Sequence, residues 1–238
     1  MFCEQPEDNV SQKLSGLSEN DSIKKVLIFI EKCLPAYKKK LESFKSLNPE
    51  DGLTQELVYI LDNKCRKDLP ICGFATEHME DTSKGNSRRD DIGVRAIEGI
   101  TIDTISYPDN KPFFVLEAKR LDSKIGKKRK KEYVVGRVDG DKYIDSGGIE
   151  RFKKEIHGVG LNYVGMIGYM QTDNFDTWFE KINTWIKEEI NSPSSEGLSW
   201  SNQDELKKVK KNSLFVTHNS KHKCNTKEID MYHIWLKL

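Results

Sequence analysis

Residues 113 to 120 read FFVLEAKR, a stretch in which an apolar run continues directly into an acid, a small residue, a lysine and an arginine. The run predicts a buried strand, because short continuous apolar segments are typical of strands covered on both faces. Side chains two positions apart in a strand point to the same face, so Glu117 and Lys119 are expected to lie side by side at its end. Such charges need partners or a metal ion if they are buried, whereas in a strand that emerges into water they are simply solvated. Both interpretations are open on this segment alone.

An acid two positions before a lysine carries little information by itself, because this chain has several such pairs. They are Asp62/Lys64, Asp109/Lys111, Glu117/Lys119, Asp122/Lys124 and Glu205/Lys207. Only Glu117/Lys119 directly follows an apolar run of four residues, so its context singles it out.

A second acid, Asp91, opens the apolar stretch of RRDDIGV just as Glu117 closes one. If the strands predicted at 91–97 and 112–120 are antiparallel neighbours, the start of the first lies beside the end of the second. The connection at 98–111 is long for a hairpin but compatible with one. Asp91 and Glu117 would then form a carboxylate pair. Such a pair suits Mg²⁺, which takes oxygen ligands and only one or two carboxylates.

A third acid, Glu56, lies in the helix predicted at 53–67, at the edge of the apolar stripe formed by Leu53, Leu57 and Ile60. Beside the other two acids it could serve as a water-mediated or second-metal ligand. Taken alone, it is more typical of a solvated helix glutamate.

Composition limits the classes of protein to consider. The 238 residues are 36% hydrophobic and 32% charged with a net charge of +1, which indicates a soluble globular protein whose attraction to nucleic acid must come from local patches. No apolar run is long enough to span a membrane, and the acidic start MFCEQPEDNV is unlike a signal peptide. The five cysteines are scattered without a CxxC pair, which favours a cytoplasmic location.

The hydrophobic pattern predicts an α/β fold, with the order helix, three strands, helix, strand and helix followed by two more strands. Residues 1–48 are interpreted as an N-terminal helical extension and 49–238 as the main domain. The extension contains two helices or one kinked helix at 22–46, because Pro35 interrupts the pattern. The other predicted helices are 53–67, 147–157 and 175–190. The predicted strands are 71–79, 91–97, 112–120, 163–171, 213–219 and 229–238.

A helix bearing Glu56, then Asp91, then Glu117-Ala118-Lys119 at a strand end, followed by a helix and a strand, resembles the PD-(D/E)xK nuclease superfamily. The likeness covers roughly residues 50–172. It implies a restriction-endonuclease-like mixed β-sheet flanked by helices, with an αβββαβ core, to which this chain adds the N-terminal helical extension and extra C-terminal strands. Asp90-Asp91 stands where the family has proline-aspartate. We select Asp91 because it directly precedes Ile92, and Asp90 is the alternative.

The resemblance also implies roles for these residues. Asp91, Glu117 and the carbonyl of Ala118 would bind Mg²⁺, for which Mn²⁺ is the possible substitute. Lys119 would position the attacking water, and Glu56 matches the helix glutamate of many members. A metal-bound water would then attack a phosphodiester bond in line.

Basic residues flank these motifs and are candidates for contact with nucleic-acid phosphates: Arg88, Arg89, Lys124, Lys127, Lys128, Arg129, Lys130 and Lys131. A solvated loop is the alternative for the lysine run. Arg151 in GIERF either lines the cleft or forms a surface ion pair, and the ion pair is the preferred interpretation.

The function expected from the sequence is therefore that of a Mg²⁺-dependent DNA endonuclease in microbial restriction or anti-phage defence. Its expected partners are DNA and other subunits of a defence or restriction complex, with a homo-oligomer also possible and no membrane. The alternatives are a catalytically silent nuclease fold that binds nucleic acid or a protein partner, and a protein-binding module that uses residues 22–46.

Overall fold

A seven-stranded mixed sheet with helices on both faces forms the centre of the protein. The structure is a computed structural model, and it describes residues 18–44, 49–79, 89–97, 101–102, 105–106, 112–126, 129–195 and 197–238. The helices are α1 (Glu19–Leu41), α2 (Glu50–Asp68), α3 (Gly148–Lys153) and α4 (Phe175–Asn191). The strands are β1 (Cys72–Met79), β2 (Arg89–Ala96), β3 (Thr101–Ile102), β4 (Ile105–Ser106), β5 (Pro112–Leu121), β6 (Arg137–Asp139), β7 (Lys142–Ile144), β8 (Tyr163–Met170), β9 (Lys207–Lys211), β10 (Phe215–Lys223) and β11 (Glu228–Lys237).

The main sheet has the order β1-β2-β5-β8-β11-β10-β9. Strands β5, β8 and β11 are parallel to one another. On one side of them β2 is antiparallel to β5 and β1 to β2, and on the other side β10 is antiparallel to β11 and β9 to β10. Ile92 of β2 pairs with Leu116 of β5, so the residues that follow this pair at the same end are Asp91 and Glu117. The antiparallel neighbourhood expected from the sequence is therefore confirmed.

Two hydrophobic cores cover the two faces of the sheet, one beneath α1 and α2 and the other beneath α3 and α4. Leu116 and Ala118 belong to the first core, and Val115 and Leu121 belong to the second. Strand β5 is buried on both sides, which explains its continuous apolar run. Because side chains alternate along a strand, Glu117 falls on the same side as Val115, facing the layer that contains α3.

Most predicted elements are present, with differences at specific residues. Helix α1 is continuous through Pro35 and packs into the first core, so the predicted extension shares that core with the sheet. The helix predicted at 147–157 was too long, since α3 ends at Lys153 and Glu155 has a left-handed φ of 53°. Strand β9 was not predicted because its sequence, KKVKK, is exposed throughout and has no apolar alternation. Across the described part of the chain, we find no helix with the length and apolar character needed to cross a membrane.

A chain of hydrogen-bonded polar side chains runs through the second core. It joins Lys153, Asp204, His222, Ser220, His233 and Tyr133, all of which are buried. His222 Nδ1 lies 2.6 Å from Asp204 Oδ1, and Lys153 Nζ contacts the same oxygen. Ser220 Oγ lies 2.6 Å from His222 Nε2 and 2.8 Å from His233 Nε2, and the Tyr133 hydroxyl completes the chain at His233 Nδ1. Every member of this chain of side chains has a hydrogen-bond partner, which is what allows these polar groups to be buried there.

The buried His218 of β10 predicts that the protein loses stability in acid. Burial lowers the pKa of His218 to about 4, with Lys208 acting in the same direction and Asp176 against it. A histidine that titrates near 6.5 when unfolded therefore stays neutral in the fold, so its contribution is complete above pH 6.5 and is lost as the pH falls towards 4. We expect His218 to account for a loss of about 3 kcal/mol in unfolding free energy between pH 7 and pH 4. Urea unfolding of wild type and His218→Phe across this range tests it, and equal pH dependence in the two proteins would contradict the expectation.

Candidate functional site

The ends of β2 and β5 bring two of the predicted acids together. Asp91 Oδ2 accepts a hydrogen bond of 2.7 Å from the backbone N–H of Ala118, the residue next to Glu117. Burial raises the pKa of Asp91 to about 7, and the negative charge of Glu117 adds to this effect. A carboxylate whose charge is destabilised by burial and by a neighbouring carboxylate is an arrangement that favours a bound cation.

Glu117 is 1% exposed and is bound by two cations through a single oxygen. Its Oε1 lies 2.8 Å from Lys119 Nζ and 2.7 Å from an Arg151 guanidinium nitrogen. Its Oε2 is buried and has no hydrogen-bond partner among the described residues. Burial alone would raise the pKa of Glu117, but the charges of Lys119, His157 and Arg151 outweigh it and hold the pKa below the ordinary value. Glu117 is therefore an ionised carboxylate with one unused oxygen.

Lys119 is a buried positive charge held between two acids. Burial lowers its pKa, but Glu117, Glu50 and Asp91 together raise it above the ordinary value. Glu50 is the first residue of α2, and its Oε1 lies 3.5 Å from Lys119 Nζ. The other oxygen of Glu50, Oε2, accepts a 2.9 Å hydrogen bond from the Arg120 N–H. Lys119 stays protonated, so it can donate hydrogen bonds but has no lone pair with which to accept a proton.

The helix acid next to Lys119 is thus Glu50, which the sequence reasoning missed, and not Glu56. Among the described residues, no hydrogen bond or ion pair joins Glu56 to Asp91, Glu117 or Lys119. Its Oε2 is buried and has no hydrogen-bond partner in the part of the chain that the structure describes, and the charge of Glu56 adds to burial in raising the pKa of Tyr37. The only local signal for Glu50 was its position after Pro49 at the start of a helix, where an acid is ordinarily explained by the helix dipole.

Asp90 and Asp91 have different partners. Asp90 is buried, and its Oδ1 lies 2.8 Å from His157 Nδ1, while its Oδ2 has no partner in the described part of the structure. Burial lowers the pKa of His157, but Asp90 and Glu117 raise it overall. The structure therefore places Asp91 at the Ala118 amide and Asp90 at His157, a residue that no sequence signal connected with the site.

The fit of Asp91, Glu117 and Ala118 to Mg²⁺ depends on how many protein ligands the ion requires. Within the described residues, no group of three or more His, Cys, Asp or Glu side chains is arranged to hold a metal ion. Mg²⁺, however, is commonly bound by one or two carboxylates and keeps several waters. Asp91, the backbone of Ala118 and the Glu117 Oε2, which has no partner among the described residues, supply the oxygen ligands of that smaller requirement.

The basic residues predicted to contact phosphate are only partly gathered at the site. A crevice beside Lys119, here called the basic crevice, is lined by the cations Lys119, Arg120, Arg129 and Lys130 and by acids that include Glu50 and Glu132. Arg129 also forms a 2.6 Å ion pair with Glu132, and Lys131 pairs with Glu188 at 2.5 Å. Lys124 is exposed. Arg88, Lys127, Lys128 and the side chain of Arg89 lie outside the described residues.

Arg151 contacts Glu117 instead of a surface acid, so the cleft position is the one the structure supports.

No family model, curated protein or solved structure matches this chain.

Proposed function

We propose that this chain is a Mg²⁺-dependent nuclease of the PD-(D/E)xK type that hydrolyses phosphodiester bonds in DNA. The observation that carries the proposal is that Asp91 accepts a hydrogen bond from the N–H of Ala118, the residue between Glu117 and Lys119, at the paired ends of β2 and β5. Lys119 pairs with Glu117, and one buried Glu117 oxygen has no partner among the described residues. The order α2, β1, β2, β5, α3 and β8 supports it, since this is the order expected of a restriction-endonuclease-like core. The small hairpins β3–β4 and β6–β7 are insertions into that order.

The chemistry follows from the charges of the site. Mg²⁺ or Mn²⁺, when bound by Asp91, Glu117 and the Ala118 carbonyl, would supply Lewis acidity and a nucleophilic water. Lys119 is protonated, so it acts by donating hydrogen bonds to the attacking water or to a phosphate oxygen. Glu50 holds Lys119 in position from the other side and ties α2 to β5 through the Arg120 N–H.

The basic crevice indicates how the substrate would be held. Arg120, Arg129 and Lys130 line the same crevice as Lys119, so a strand whose phosphate reaches the acids would meet these cations along its backbone. Restriction or anti-phage defence, with DNA and other subunits of such a system as partners, is the biological setting we propose.

A second candidate is a catalytically silent nuclease fold that binds nucleic acid or a protein partner. The observation in its favour is that Lys119 and Arg151 both pair with Glu117 and together neutralise its charge. Cleavage assays separate the two. Wild type and Asp91→Asn are incubated with supercoiled plasmid, linear duplex and single-stranded DNA, with Mg²⁺, Mn²⁺ or EDTA. Cleavage that requires the cation and Asp91 supports the nuclease, and an inert wild type under every condition, with and without candidate partner proteins, favours the silent fold.

Removal of the basic residues near the crevice is expected to weaken DNA binding regardless of sequence. The variant carries Lys124→Gln, Arg129→Gln, Lys130→Gln and Lys131→Gln. Each lost phosphate contact lowers the slope of log affinity against log salt by about 0.9, so we expect a slope lower by roughly 2 and binding at least about tenfold weaker at 0.1 M salt. Fluorescence anisotropy with a labelled duplex in EDTA measures both.

The matched control neutralises four lysines of β9, at the far edge of the sheet: Lys207, Lys208, Lys210 and Lys211. It changes the same amount of charge away from the site. Equal losses of affinity in the two variants would mean that net charge, and not the crevice, binds DNA.

A further inference from the structure

The contact between Arg151 and Glu117 has no place in the chemistry proposed above. Lys119 and Arg151 donate to the same oxygen of Glu117, at 2.8 and 2.7 Å. A buried carboxylate needs a compensating charge, and Lys119 is committed to that task because it lies two residues away on the same strand and is also held by Glu50. Arg151 supplies a second positive charge to the same atom from a different element, α3.

The two cations differ in how easily they can leave. The Lys119 side chain is 9% exposed and the Arg151 side chain is 28% exposed. Apart from Glu117, the anchor of Arg151 is a 3.0 Å hydrogen bond from Nε to the backbone carbonyl of Asp145, which orients the guanidinium without neutralising it. Arg151 is therefore the cation that can turn towards solvent, at the loss of one ion pair and one neutral hydrogen bond, whereas Lys119 is enclosed.

A divalent cation at Glu117 would change the balance of charge at this carboxylate. Its two positive charges would replace what Arg151 supplies, and at such short range they would repel the guanidinium. A guanidinium released at the mouth of the site presents a planar fork of donors, the geometry that binds phosphate in two parallel hydrogen bonds.

We propose that Arg151 and a divalent cation compete for Glu117, so that Arg151 holds the carboxylate in the absence of the cation and is released towards substrate phosphate when the cation binds. This inference rests on the proposed function, since it assumes that Glu117 is a cation ligand. It makes Arg151 a positioning residue that couples the two binding events. Cation binding alone must displace Arg151, whereas in the presence of DNA the displaced guanidinium gains a new partner, so each ligand strengthens the binding of the other.

The test measures Mn²⁺ binding directly, by calorimetry and by the electron paramagnetic resonance of free Mn²⁺, without any activity assay. Arg151→Ala is expected to bind Mn²⁺ about tenfold more tightly than wild type, Arg151→Gln to behave similarly, and Arg151→Lys to stay close to wild type. Because Arg151→Lys keeps the charge, the comparison of the Lys and Gln variants tests the proposal even if the Ala variant folds poorly. Lys154→Ala is the matched control, since Lys154 pairs with Asp145 and Glu150 in the same region and not with Glu117.

The coupling is measured with a phosphorothioate duplex that resists hydrolysis. In wild type, saturating duplex is expected to tighten Mn²⁺ binding several-fold, and in Arg151→Ala this gain is expected to disappear. Wild-type binding of Mn²⁺ that Arg151→Ala leaves unchanged or weakens would overturn the competition while leaving the nuclease proposal intact. Absence of Mn²⁺ binding in wild type and in every variant would overturn both.

Discussion

Glu117→Gln is expected to abolish cation-dependent cleavage of DNA while the protein remains folded. Glutamine keeps the shape of the side chain and one accepting oxygen for Lys119 and Arg151, but it removes the charge that a cation requires. Metal-ion catalysis supplies several kcal/mol of transition-state stabilisation, and each ~1.4 kcal/mol is a factor of ten in rate, so we expect a loss of at least about 10³-fold. The rate of plasmid nicking at saturating Mg²⁺ measures it.

The same substitution is also expected to cost stability, because Lys119 and Arg151 lose a charged partner inside a buried site. Breaking a buried ion pair from one side costs about 3 kcal/mol or more, and the introduced amide would offset part of this by hydrogen bonding. Glu189→Gln is the matched control: Glu189 lies on α4, is 1% exposed, and accepts hydrogen bonds from the N–H and the hydroxyl of Ser194. The control should lose stability without losing cleavage. If the folded Glu117→Gln protein cleaved at a rate near that of wild type, Glu117 would not be a cation ligand.

The largest effect on stability is expected at the buried pair of Lys153 and Asp204. Both side chains are almost completely inaccessible to solvent, at 0% and 1% exposure. Burial lowers the pKa of Lys153, whereas for Asp204 the contacts with His222 and Lys153 outweigh burial and lower the pKa. Asp204 also accepts hydrogen bonds from the Ser201 N–H and hydroxyl. Lys153→Met should therefore cost about 3 to 5 kcal/mol of unfolding free energy, and Asp204→Asn at least as much.

Urea unfolding of the two single variants and the double variant tests this expectation. The double variant removes both charges, so its loss should be smaller than the sum of the single losses. Lys181→Met is the matched control, because Lys181 forms a 2.7 Å pair with Asp173 in which both side chains are about a third exposed. An exposed pair of this kind contributes less than about 1 kcal/mol. A Lys153→Met protein no less stable than Lys181→Met would show that the buried pair does not stabilise the fold.

Part of the candidate site could be predicted because its residues lie at the boundaries of local patterns. Asp91 opens one apolar run and Glu117 closes another, and strand alternation places Lys119 on the side of Glu117. Glu50 and Arg151 could not be assigned in this way. Glu50 is 69 residues from Lys119, and Arg151 is 34 residues from Glu117, so nothing in the neighbouring sequence distinguishes them from solvated surface charges.

The sequence by itself determined the α/β class and most helices and strands, because each of these depends on apolar periodicity over a few residues. The antiparallel pairing of the strands that carry Asp91 and Glu117 was an expectation from the sequence, and the structure confirms it. Tertiary structure alone decided which charges are buried together. Asp90 of β2 pairs with His157, which follows α3, and Lys153 of α3 pairs with Asp204, which precedes β9. Both pairs form only when these distant segments have packed together. The periodicity of a segment is local, whereas the partner of a buried charge is whichever group the completed fold brings within hydrogen-bonding distance. For that reason FFVLEAKR identifies the strand and the pair Glu117 and Lys119, and the fold adds the cations and acids that surround this pair.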